Sequence, residues 1–319
     1  MKPIYKIMFL ISVAVMLASL VLFFIYGLNL GIDFTGGALL EVRSKNLEVR
    51  IIRDSLEKLG ISNAVISRTD DQGFLIKMSE ISEDQHQRLL AEFGKIGEFE
   101  EKRFDSIGSV LGQELKRKSI AAIIIALVAI SLYLALVFRR IGQMINPFVL
   151  ALSAIVALLH DLLLPIGVFV LLGKFQGVAL DAPLIAAALA ILGYSINDTV
   201  VVYDRIRENL IMKHASKAPW AKGPLGASPL FGATGLYGET WNMKQDNFSQ
   251  IVHRSIKQTL GRSINTTLTT LFAVLAIYIF GGVTLKSFSL ALIIGIASGA
   301  YSSIFVASPI LMMLHRRQI

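Results

Sequence analysis

A chain of 319 residues that is 54% apolar and only 17% charged lies far outside the balance of a water-soluble domain. It has no cysteine, which excludes disulfides and thiolate metal sites, and no GxxxxGKS/T or HExxH pattern supports nucleotide hydrolysis or zinc chemistry. The net charge of +8 sits in clusters that read as a topology signal, with anionic lipid headgroups and not nucleic acid as the counter-charge.

The first apolar run covers residues 8–28, behind Lys2 and Lys6. It is too long for a signal peptide and no small-x-small cleavage site follows it, so an uncleaved anchor is expected. Further apolar runs cover 119–138, 146–172, 182–203, 266–281 and 287–314. A membrane crossing needs roughly 20 such residues, so the chain reads as an α-helical polytopic membrane protein with six transmembrane helices. The run at 266–281 is short, and its span is expected to begin nearer Ser263. Basic clusters at Lys2/Lys6, Arg139/Arg140, Arg205 to Arg262 and Arg316/Arg317 fall on one side of six spans, which the positive-inside rule makes cytoplasmic. Both termini are then cytoplasmic. The expected divisions are a first transmembrane helix (1–30), an extracytoplasmic α/β domain with elbows at both ends (31–117), helices 2–4 (118–210), a cytoplasmic connection (211–262), and helices 5–6 with the tail (263–319).

Most of the 23 acidic residues lie in the outer segment, balanced there by basic ones. Ala38–Val42 reads as a strand, and Asn46–Gly60 as a helix with Val49, Ile52, Leu56 and Leu59 on one face. Ala64–Ser67 and Phe74–Met78 alternate around Asp70-Asp71-Gln72-Gly73, a hairpin signal. Ser82-Glu83-Asp84-Gln85 is a capping box opening a helix with Leu89, Phe93 and Ile96, and Phe99–Phe104 closes the set as a strand. The order β-α-β-β-α-β predicts a small ferredoxin-like domain between helices 1 and 2. Gly31-Ile32-Asp33-Phe34-Thr35-Gly36-Gly37 lies before it, where Asp33, Gly36 and Gly37 read as a structural elbow.

The fourth span holds the strongest functional signal. Asp198 lies at membrane depth with Ser195, Asn197 and Thr199 beside it, and an ionisable group there marks an ion or proton path. Placing it costs roughly 2.5–3.5 kcal/mol. Helical steps put Ser195, Asp198, Val202 and Arg205 on one face. The alternative role for such an acid is a fixed ion pair or an interhelical hydrogen bond. Arg262 opens the fifth span, followed by Asn265, Thr266, Thr267, Thr269 and Thr270. It reads either as a snorkelling anchor or as a charge that modulates Asp198. In the third span Asp161 is a second relay candidate, and the adjacent His160 reads as a packing donor. Gly281-Gly282 and Ser298-Gly299 are small-residue sites suited to close helix approach.

Between Met212 and Ser249 the chain holds Pro219, Pro224 and Pro229 and both tryptophans, Trp220 and Trp241. This reads as an irregular loop pinned near the headgroups.

Four of these stretches together resemble the SecF branch of the SecD/SecF family of the bacterial Sec export machinery, relatives of the proton-driven RND transporters. They are the Gly31–Gly37 segment, Gly193–Asn209, Gln258-Thr259-Leu260-Gly261-Arg262-Ser263 with its threonines, and Tyr301-Ser302-Ser303-Ile304-Phe305-Val306-Ala307-Ser308-Pro309. The resemblance implies an RND-like helix arrangement in the bacterial cytoplasmic membrane and no covalent chemistry. It implies no cofactor beyond protons, and as partners SecD, the SecYEG channel, the translocating preprotein and membrane lipids. It also implies that Asp198 and Arg262 match the family's intramembrane proton-path positions. The chain departs from the pattern in an insertion around Pro219–Phe248, and in Ser109, where a proline is common. The competing readings are an RND-type exporter of small molecules or lipids, and a scaffold that transduces nothing.

Overall fold

The computed structural model describes residues 3–44, 47–61, 64–69, 73–141, 145–215 and 247–315. Among these, six helical stretches are long and apolar enough to cross a membrane: Pro3–Tyr26, Ser109–Val137, Pro147–Gln176, Ala182–His214, Phe248–Phe280 and Leu285–His315. Lys2, the Asp70–Gln72 turn, Trp220 and Trp241 with the loop around them, and Arg316/Arg317 lie outside the described residues.

The elements in chain order are α1 (Pro3–Tyr26), a one-turn α2 (Ile32–Thr35), β1 (Gly37–Arg43), α3 (Val49–Lys58), β2 (Val65–Thr69), β3 (Gly73–Met78), α4 (Glu83–Gly94), β4 (Glu100–Ile107), α5 (Ser109–Val137), a 3-10 turn (Phe138–Ile141), α6 (Pro147–Gln176), α7 (Ala182–Ala215), α8 (Phe248–Phe280), α9 (Val283–Ser302), a π turn (Ser303–Ala307) and α10 (Ser308–His315). They form two compact units, one of Gly27–Ala122 with Phe169–Ile185, the other of Met1–Tyr26, Ile123–Val168 and Ala186–Ile319.

In the first unit an antiparallel sheet runs in the order β2-β3-β1-β4. Alternation along β1 sends Ala38, Leu40 and Val42 into the core, where they meet Phe74 and Ile76 of β3. Ile52 and Leu56 of α3 and Leu89 and Phe93 of α4 complete the same cluster, so both helices lie on one face of the sheet. Each of these side chains larger than alanine contributes roughly 1.5–3 kcal/mol on burial. The Ser82–Gln85 capping box is formed in both directions: Ser82 N donates to Gln85 Oε1 at 3.0 Å, and Gln85 N donates to Ser82 Oγ at 3.3 Å.

The elbow is tightly knit. Gly36 and Gly37 have φ of +73° and +126°, which side-chain-bearing residues rarely adopt. A Cβ on Gly36 would run into Ser109, and one on Gly37 into the Met78 carbonyl. The carboxylate of Asp33 accepts the Ala182 N–H at 2.6 Å, capping the first turn of α7. Gly31 N donates to Leu180 O at 2.9 Å and Leu180 N to Asn29 O at 2.7 Å, making a short parallel bridge.

The second unit is a helical bundle. Its core gathers Leu134 and Phe138, Leu150 and Ala154 of α6, Tyr203 and Ile206 of α7, Val252 of α8, and Val306 and Leu311 near the C-terminus. Several helices exceed their apolar runs, α8 most of all. α8 begins at Phe248, capped by Asn247 and Gln250, so the helix starts about four turns ahead of the span start expected near Ser263. Hydropathy registers only the lipid-facing half of a helix whose earlier half is polar outside and buried at Ile251, Val252 and Ile256. Gly281 is also not a helix-approach site: it ends α8 with its N–H on the Ile277 carbonyl at 2.7 Å. Close approach occurs elsewhere. Gly167 of α6 lies against Ser19 of α1, Gly295 against Ile191, and Gly299 against Ser195.

Candidate functional site

α7 carries Asp198 into the middle of the helical unit, where its side chain is only 2% exposed. Among the described residues its one direct partner is the Thr267 hydroxyl of α8, which donates to Oδ2 over a long 3.4 Å. Ser263, one helical turn earlier on the same face of α8, has a buried hydroxyl beside the carboxylate but outside hydrogen-bonding geometry. Arg262 is exposed and acts on Asp198 through its positive potential; among the described residues the two form no ion pair. Asp198 is therefore a buried acid with an incomplete set of partners.

The other residues expected around Asp198 distribute differently. Ser195 is buried but donates to Asp161 Oδ2 at 2.5 Å. Thr199 is buried and turns its hydroxyl back to the Ser195 carbonyl at 3.3 Å. Asn197 is exposed, because it lies about 100° around the helix from Asp198. Thr266 is exposed and bonds the Arg262 and Ser263 carbonyls, both at 3.0 Å, while its own carbonyl accepts the Tyr194 hydroxyl at 2.8 Å. The threonine facing Asp198 is Thr267, its neighbour in sequence.

Asp161 is the more completely enclosed acid, with no exposed side-chain surface. On Oδ1 it meets the Ser298 hydroxyl at 2.6 Å and His160 Nδ1 at 3.0 Å. On Oδ2 it meets Ser195 at 2.5 Å and Ser302 at 2.6 Å. His160 is part of this set and also stacks on Tyr301, whose hydroxyl donates to the Met8 carbonyl of α1 at 2.9 Å. In the sequence Ser298 reads as part of a close-approach site with Gly299 and Ser302 as part of the Tyr301–Pro309 stretch; nothing there ties either to α6.

A second polar group surrounds the elbow. Burial, and then the charge of Asp33, push the Asp181 carboxyl above the usual carboxylate range, against the pull of Arg103 and Lys77. Lys77 donates to the Leu30 carbonyl at 2.7 Å, and burial lowers its affinity for a proton against the opposing charge of Asp181. Among the described residues no cluster of three or more His, Asp or Glu side chains has the geometry to hold a metal ion.

The SecD/SecF C-terminal family of protein export membrane proteins matches residues 85–222 and 239–317, and the SecD/SecF GG motif matches residues 21–46. A protein translocase subunit SecF from Thermobaculum terrenum is 36% identical over 95% of this chain and 90% of its own length. One from Anaerolinea thermophila is 34% identical over 96% of this chain and 90% of its own. The crystal structure of SecDF, a translocon-associated membrane protein from Thermus thermophilus, superposes with a TM-score of 0.77 at 31% identity. That superposition covers 99% of this chain and 39% of the SecDF chain, so the present sequence spans well under half of that protein. Matches of this length and identity, together with six membrane-length helices, make this a multi-pass membrane protein of the SecD/SecF protein export family.

Proposed function

We propose that this chain is an accessory subunit of the Sec protein translocase that acts with SecD to couple the proton-motive force to late stages of preprotein translocation. The observation that carries the proton-driven part is Asp198: a carboxyl buried in the bundle, with one long hydrogen bond and no ion pair among the described residues. A fixed structural acid is held by obligate donors such as Arg, Lys or a backbone N–H, and Asp198 has no hydrogen bond from such a donor among the described residues. Arg262, near enough to act on Asp198 yet exposed, modulates its charge; Asp161 is a second candidate for the path. One proton crossing about 150 mV yields roughly 3.5 kcal/mol, enough to bias a two-state domain motion.

In this reading the sheet unit is a ferredoxin-like domain outside the bacterial cytoplasmic membrane, both termini are cytoplasmic, and protons are the only consumed cofactor. SecD, named in the matched SecDF structure, is the immediate partner, with SecYEG and the preprotein beyond it. The test is export of a secreted protein with wild type and Asp198→Asn at equal membrane abundance. Loss of export together with its dependence on the proton gradient supports the reading. Export that stays fully gradient-dependent leaves Asp198 structural and makes the chain a scaffold. Unaffected secretion with a defect in efflux of small molecules or lipids would instead indicate an RND-type exporter.

A further inference from the structure

Asp161 is held in an unusual way for a structural carboxylate. Its four acceptor positions are all occupied, by Ser195, Ser298, Ser302 and His160, and none of these partners is an obligate donor. Arginine, lysine or a backbone N–H can only donate. A hydroxyl or an imidazole can donate or accept, so each of these contacts survives reversal of its direction. Alternative acceptors are already in place. The Ser302 hydroxyl lies 3.2 Å from the Gly299 carbonyl, and the Ser298 hydroxyl lies 3.3 Å from His160 Nδ1.

We infer that Asp161 is a proton-binding site in its own right, loaded and emptied by reversal of the hydroxyl and imidazole hydrogen bonds around it. The step balances simply. One O–H bond of a hydronium ion breaks to leave water as its proton adds to Oδ2, the new O–H donates to Ser302 Oγ, and the Ser302 hydrogen turns to the Gly299 carbonyl. No other covalent bond changes, and release runs the same step backward. The titratable groups facing the site are His160 on α6, Asp198 one turn along α7, and Tyr301 on α9, stacked on His160 with ring centroids 6.0 Å apart.

The site also borders an irregular turn. Ser302 is the last residue of α9, and the π turn Ser303–Ala307 follows it directly. Pro309 has no N–H for the Phe305 carbonyl, and the Ser308 hydroxyl reaches back to the Ser303 carbonyl at 2.9 Å. Such turns carry one residue more than an α turn and are frequent at functional sites. Asp161 thus joins α6, α7 and the C-terminal end of α9 through contacts whose directions depend on one proton. Its purpose rests on the proton-driven reading above; its test does not.

The test is pH-dependent infrared difference spectroscopy of the purified full chain in liposomes, following the C=O band of protonated carboxylic acids. Asp161→Asn should abolish one titrating band that persists in Asp198→Asn, and Ser302→Ala should move its midpoint, with helical content unchanged. A titration identical in wild type, Asp161→Asn and Ser302→Ala would overturn the proposal and leave Asp161 a permanently ionised clamp. If Asp161→Asn does not accumulate, Ser302→Ala and Ser298→Ala decide: unmoved midpoints in both overturn it. Export assays on Asp198→Asn report on the translocase reading independently.

Discussion

The Asp33 cap offers a direct measure of how firmly the elbow holds α7. The carboxylate accepts the Ala182 N–H at 2.6 Å, from a residue far away in the sequence. Removing an N-terminal cap costs about 1 kcal/mol, and losing a negative charge at the helix N-terminus adds roughly 0.3–1 kcal/mol. Asp33→Ala should therefore cost about 1–2 kcal/mol locally, a 5- to 30-fold change in the closed-to-open ratio. Asp33→Asn keeps an acceptor and loses only the charge, so it should cost roughly 0.3–1 kcal/mol, about a two- to five-fold change. Hydrogen exchange of a peptide spanning residues 180–186 reads this directly, since the Ala182 amide is the donor itself. Exchange that rises in the order wild type, Asn, Ala supports the cap. Equal rates in all three would show that Asp33 does not hold the helix and that the elbow's stability lies in the glycine backbone alone.

Because folded Asp181 keeps its proton to higher pH than an unfolded carboxylate, the sheet unit should lose stability as pH rises from the ordinary carboxylate range toward that raised value. Asp33→Asn, which removes part of the push, should flatten this decline in pH-dependent hydrogen exchange of the elbow segment. A Cβ at position 299 would sit 2.9 Å from Ser195 Cβ, so Gly299→Ala should destabilise the helical unit by about 1–3 kcal/mol in thermal unfolding of the full chain. Gly193→Ala, where a Cβ meets nothing within 4 Å, should instead stabilise α7 by up to about 1 kcal/mol. Leu40→Ala should cost about 2–5 kcal/mol, read as loss of exchange protection in β1 and β3 with α9 unaffected.

Strand alternation in β1 and the Ser82 capping box are local signals, so the sheet unit was legible residue by residue. The spans were legible as runs, but the helices that run past them were not: Phe248–Arg262 is helical because buried Ile251, Val252 and Ile256 recur on one face, a pattern that overall hydropathy averages away. The site was legible in its acids and illegible in its pairings. Spacing places Ser195 and Asp198 on the same side of α7, yet it cannot say which neighbouring helix faces each residue. Ser195 meets Asp161 of α6 while Gly299 of α9 packs against its other atoms, and both are long-range facts. A run of threonines likewise cannot reveal which one points inward; a rotation of about 100° per residue decides between exposed Thr266 and buried Thr267.

Polar residues in α7 and α8 that miss the acids still require an account, because lipid offers them no hydrogen bonds. Thr266, Thr269 and Thr270 return their hydroxyls to carbonyls of their own helix, which largely neutralises their cost. Asn197, Arg262 and Asn265 carry more donors than such back-bonding can absorb, and all three are exposed in the isolated chain. Polar side chains at membrane depth usually face protein or a water-filled cavity. Protein or water must therefore cover this side of α7 and α8 in the membrane. The proposed pairing with SecD would provide that cover, and would place a second chain next to the least satisfied acid, Asp198. Asp198 itself is already enclosed within this chain, so the partner would cover the polar surface beside the acid and leave its single long hydrogen bond to Thr267 unchanged.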